Sequence, residues 1–134
     1  MTWHMNPVPA IDIFDEIKES LTGLSPLERE MRIAAYTVTM EMAARGDLDP
    51  EGTDIGPIIL DPSLFELRWN FGRRLFRLCH AEPTSLPSIL IGLHFHEKAV
   101  TGLDHEIREA QDAQISLAAL RYRAGERNNW GLAL

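Results

Sequence analysis

A single cysteine, Cys79, occurs in the 134 residues, so no internal disulfide can form and the chain suits a reducing cytoplasm. No apolar run approaches the roughly 18 residues of a membrane span, so no membrane association is expected. The first residues, Met1-Thr2-Trp3-His4-Met5-Asn6, lack the basic segment and apolar core of a signal peptide. There is no phosphate-cradling glycine loop, no nucleophile elbow, no cysteine pair and no His-Glu-x-x-His helix. Positive charge is also short: 13 Lys and Arg stand against 20 Asp and Glu, a net charge of −7. Proteins that grip nucleic acid through its phosphates usually carry a basic surface. Any such role here must rest on a local cationic patch in an acidic envelope, and the excess acid suits a basic partner.

What remains is the composition of a soluble globular chain, 45% hydrophobic and 25% charged. Residues 1–124 are expected to form one domain, with 125–134 as a loosely held tail. Ile11, Phe14, Ile17 and Leu21 recur at helical spacing with acids toward the start, which predicts a helix ended by Gly23. Ser25-Pro26-Leu27-Glu28 is a capping box with proline at the first helical position. Leu27, Met31, Ala34, Ala35, Val38 and Met42 then form a stripe, expected to face the core, and Gly46 supplies the stop. These two helices are expected to pair as an antiparallel hairpin.

Residues 47–62 read as a loop. Two strands follow, with apolar residues on one side and arginines on the other, turning at Asn70-Phe71-Gly72. Ile89, Ile91, Leu93 and Phe95 alternate in a third strand, and Trp3–Met5 could add an edge strand. A last helix opens at Leu103-Asp104 and runs to about Arg123. The expected fold is α+β: an N-terminal helical hairpin on a small antiparallel sheet, followed by a C-terminal helix.

A turn over 70–73 sets Trp69 opposite Arg74, Leu67 opposite Phe76 and Phe65 opposite Leu78. The reverse face then carries Glu66, Arg68, Leu75, Arg77 and Cys79, with Glu66 opposite Arg77 as an ion pair. In the third strand His94 and His96 fall on the side away from the apolar set. Arg68, Arg77, His94 and His96 therefore share a surface. Arginine binds phosphate through paired hydrogen bonds and stabilises charge on a phosphorane, while histidine moves protons near neutral pH. The same residues also read as a charge network with Glu66 and as solvent-facing strand histidines. His94-x-His96 beside Glu97 is a poor metal motif alone, and neither metal nor cofactor is expected. Cys79 reads as a packing residue.

The order of elements, with Leu64-Phe65-Glu66-Leu67-Arg68 opening the sheet, resembles the RelE/HigB superfamily of toxins, closest to its phage-derived Gp49-like branch. Asp54-Ile55-Gly56-Pro57, Arg77-Leu78, Phe95-His96-Glu97-Lys98 and Glu106-Ile107 with Ala110 add to the likeness over residues 11–120. The resemblance implies the toxin of a type II toxin–antitoxin system, a ribosome-dependent endonuclease of mRNA. It also implies neutralisation by a cognate antitoxin, a helix-turn-helix protein. Arg68 and Arg77 would take the places of the family's sheet arginines, with His94 and His96 the candidates for proton transfer. Arg73, Arg74 and Lys98 would contact RNA. The chain departs from the pattern at Glu97, where a lysine is usual, at Val100 and Thr101, and at Leu103, where proline is common. These departures leave open a RelE-like scaffold that has lost catalysis and acts through protein interaction. No helix carries the basic residues of a DNA-recognition helix, so direct DNA binding is not expected.

Overall fold

The computed structural model describes residues 1–6, 13–49, 54–58, 61 and 63–132. Its elements are β1 (Thr2–Met5), α1 (Ile13–Ser20), α2 (Pro26–Arg45), β2 (Ile55–Pro57), β3 (Leu64–Phe71), β4 (Arg74–Ala81), β5 (Ile89–Glu97) and α3 (Asp104–Glu126), with a 3-10 turn at Asn129–Gly131. The fold is α+β, as expected. The sheet has five strands in the order β1-β5-β4-β3-β2. Strand β1 runs parallel to β5, and the other pairs are antiparallel. The edge strand at Trp3–Met5 is thus present, while β2 lies inside the stretch read as a loop.

The β3–β4 hairpin turns more tightly than expected. Phe71 pairs with Arg74 around Gly72-Arg73, and Gly72 takes a φ of 64°, which suits a two-residue hairpin turn. The register therefore moves by two from the expected one. Trp69 faces Phe76, Leu67 faces Leu78, and Glu66 faces Cys79 rather than Arg77. A shift of two keeps each side chain on its face, so the face assignment survives.

The third strand departs from simple alternation. Cys79 pairs with His94 but His80 pairs with Gly92, so Leu93 is an extra residue in a β-bulge. The bulge puts Leu93 and His94 on the same side of the sheet and sends Phe95 to the other.

Both faces of the sheet are buried, which corrects the expectation of one apolar and one open face. On one side Leu67, Trp69, Phe76, Leu78 and Phe95 meet Ile13, Leu21 and Tyr36. On the other, Leu64, Cys79, Ala81, Ile91 and Leu93 meet Ala118, Ala119 and Trp130. Trp130, which follows α3, is buried within this second cluster. Its ring lies so close to Gly125 that a Cβ there would stand 2.0 Å from it.

Helix α2 begins as the capping box predicts, with Ser25 Oγ accepting from Glu28 N, and it stops at Gly46 in the left-handed conformation. Its rotation differs from the expected one. Tyr36 faces inward against Trp69, Phe71, Phe76 and Phe95, while Leu27, Met31, Ala34 and Val38 face out. Indole partners explain this choice: Trp69 Nε1 donates to Ala35 O and Thr39 Oγ1, and Trp3 Nε1 donates to Met40 O. Periodicity identified an apolar stripe, but buried aromatics took the opposite side.

Candidate functional site

Strands β3, β4 and β5 place Arg68, Arg77 and His96 side by side in one cross-strand row, and Glu66, Cys79 and His94 in the adjacent row. The sequence constellation of two arginines and two histidines is therefore assembled. Its surroundings differ from an open cationic face.

Arg77 is only 7% exposed. Its Nη1 donates to Phe76 O at 2.9 Å and Asn70 Oδ1 at 3.3 Å. Burial pulls its pKa below the ordinary arginine value; Glu66 works against that shift and Arg68 adds to it. Arg68 Nε donates to Glu66 Oε1 at 3.0 Å, and Arg77 Nε lies 3.9 Å from the same oxygen. One carboxylate thus serves two guanidinium groups. Gly56 makes room for this arrangement, since a Cβ there would stand 2.1 Å from Arg68 Nη2.

His94 is held from two helices. Its Nδ1 lies 2.6 Å from Glu16 Oε2 on α1, and its Nε2 meets Gln114 Oε1 on α3. Glu16 Oε1 accepts from Arg121 Nη1 at 2.8 Å and from Phe95 N at 3.1 Å, so α1 caps the edge of β5 beyond the end of β1. Burial tends to raise the Glu16 pKa, but the bonds from His94, Arg121 and Phe95 hold it below the usual carboxylate value. Sequence reasoning missed Glu16, Gln114 and Arg121. Glu16 is one of the acids near the start of its helix, where the helix dipole alone accounts for a carboxylate, and its partner Arg121 lies 105 residues away, beyond any local pattern.

His96 stacks on His94 with ring centroids 5.1 Å apart. Its Nδ1 is buried without a hydrogen-bond partner among the described residues. Burial, aided by His94 and Arg77, pushes its pKa down to about 3. Neutral imidazole is therefore its state near pH 7. Cys79 is fully buried, and its thiol is pushed up to about 12, a packing residue rather than a nucleophile.

The expected RNA-contact set is divided. Arg73 is exposed in the hairpin turn. Arg74 points to the opposite face from Arg77 and is engaged by Glu97, with Nε to Oε2 at 2.8 Å and Nη2 to Oε1 at 3.0 Å. Lys98 extends the β5 ladder through its N–H to Leu75 O at 2.7 Å. Beside the histidines opens a pocket of about 540 Å³ whose charged lining is Asp15, Glu16, Glu19, Glu97 and Arg74. Carboxylates dominate there, so this pocket disfavours an anion.

No family model, curated protein or solved structure matches the chain. Among the described residues, no group of three His, Cys, Asp or Glu is placed to hold a metal ion, and no helix is long and apolar enough to cross a membrane.

Proposed function

We propose that the protein is a RelE-type endoribonuclease toxin that cleaves mRNA on the ribosome and is held inactive by a cognate antitoxin. The observation that carries this reading is the cross-strand row Arg68, Arg77 and His96. Cleavage needs no cofactor. The 2′-oxygen gives up its proton to solvent and bonds to phosphorus, the bond from phosphorus to the 5′-oxygen breaks, that oxygen takes a proton from solvent, and a cyclic phosphate and a 5′-hydroxyl result. Arg68 and Arg77 would hold the phosphate oxygens and stabilise the charge of the phosphorane. His96, neutral at pH 7, suits a hydrogen-bond acceptor for the 2′-hydroxyl better than a proton donor. His94 acts as a positioning residue, since both ring nitrogens are already engaged.

A second reading is favoured by the carboxylates. Glu66 occupies the arginines, and Asp15, Glu16, Glu19 and Glu97 line the pocket beside the histidines. A RelE-like scaffold that no longer cleaves RNA and acts through protein contacts would carry these features. Induced expression in a bacterium, followed by mapping of mRNA ends, separates the two. The toxin reading expects growth arrest and new 5′-hydroxyl ends, both lost in Arg77→Ala. Normal growth with abundant intact wild-type protein favours the scaffold.

A further inference from the structure

Helix α2 is apolar on the side that faces away from the sheet. Leu27, Met31 and Val38 are 67%, 63% and 53% exposed, and Ala34 among them is exposed too. At 100° per residue these four positions fall on one line along the helix. The opposite side already packs through Tyr36 on the aromatic core. The helix thus has two apolar faces, and one of them lies open. A regular apolar line on a solvated helix is the kind of surface that another helix covers.

Charge beside the line indicates which helix. Glu30 and Glu41, both exposed, lie along the same flank. Nearby cations are committed elsewhere: Arg45 pairs with Asp47 at 2.9 Å, and Arg32 turns inward over the Phe71 ring at 4.7 Å. Two copies of this chain pairing antiparallel with the line in register would set Leu27 against Val38 and Met31 against Ala34, which places Glu30 level with Ala35 and Glu41 level with Leu24 and offers neither a cation. Parallel pairing would set that flank against Glu28, Ala35 and Met42, which offer no cation. Self-association is therefore unaided by charge, whereas a basic flank complements the surface.

We propose that this line on α2 is a docking surface for an amphipathic helix of a different protein, whose apolar stripe is flanked by Lys or Arg. The inference rests on α2 alone and holds whether or not the sheet face cleaves RNA.

Two synthetic helical peptides test it. They share one leucine stripe and carry either Lys or Glu at the flanking positions. Fluorescence anisotropy against the full chain should show the Lys peptide binding at least about tenfold more tightly than the Glu peptide. Leu27→Asp with Met31→Asp should abolish binding, with circular dichroism confirming the retained fold. Glu30→Lys with Glu41→Lys should reverse the preference. The proposal is overturned by equal affinity for both peptides, by no binding of either at tens of micromolar, or by concentration-dependent dimerisation of the chain that Leu27→Asp with Met31→Asp removes.

Discussion

Arg68 and Arg77 stand directly opposite each other across the β3–β4 ladder, and one carboxylate, Glu66, lies within reach of both. Like charges in facing positions destabilise a sheet unless something compensates. Here Glu66 holds Arg68 closely and Arg77 at longer range. With 31% of its side chain exposed against 9% for Arg77, Arg68 is the guanidinium that an incoming phosphate would meet first, in competition with Glu66. If the sheet face cleaves RNA, Arg77→Ala should lower the rate of mRNA cleavage by about 10²–10³-fold. Arg77→Lys should recover little of it, because an ammonium cannot reproduce the planar fork. Quantified mRNA ends after induction provide the measurement, and wild-type levels of new ends in Arg77→Ala would remove the arginine from the chemistry.

Glu66→Gln separates the structural role of the carboxylate from its competition with phosphate. The substitution leaves two facing arginines without an anion, so stability should fall by on the order of 1–2 kcal/mol. Affinity for a single-stranded RNA should rise, because phosphate no longer displaces a carboxylate. Urea denaturation reads the first effect and fluorescence anisotropy the second. A fall in RNA affinity would mean that Glu66 positions the arginines rather than masking them.

Much of the strand arrangement was legible because period-two patterning assigns faces even when the turn is misplaced. The two-residue register difference at Phe71 and Arg74 therefore left Arg68 and Arg77 on the expected face. The bulge at Leu93 was not legible, since His94 and Leu93 satisfy simple alternation in the sequence. Helix α2 shows a different limit. Its apolar residues cover both sides, so periodicity found the Leu27 line while Trp69 and Trp3 decided that Tyr36 would face inward. The network of Glu16, His94, Gln114 and Arg121 joins elements far apart in the chain, and no local pattern marks it.

Gly56→Ala offers a change that acts on Arg68 without substituting it. The new methyl would meet the end of the Arg68 side chain, which can swing aside at small cost. Stability should change by less than about 1 kcal/mol, whereas the proposed RNA cleavage should fall as if Arg68 had been removed. Thermal unfolding compared with mRNA-end mapping reads the split. Parallel losses of fold and activity would show that the glycine serves the backbone of β2 instead.

His96 gives the fold a pH dependence whose sign is fixed by its environment. Its pKa is about 3 in the folded chain against an ordinary 6.5, so the unfolded chain takes up the proton first. Its contribution to stability is complete above pH 6.5 and is lost progressively as the pH falls from there toward 3. Glu16, also depressed, adds a loss in the same direction, but only below its ordinary value of 4.5. The interval from pH 6.5 to 4.5 therefore isolates the histidine from that carboxylate. Unfolding free energies of the wild type from urea titrations should decline across this interval, with a slope approaching about 1.4 kcal/mol per pH unit for one proton. His96→Gln should flatten that decline while leaving the steeper loss below pH 4.5. Equal slopes in the two proteins would place the protonation elsewhere and remove the reason for treating His96 as a neutral acceptor.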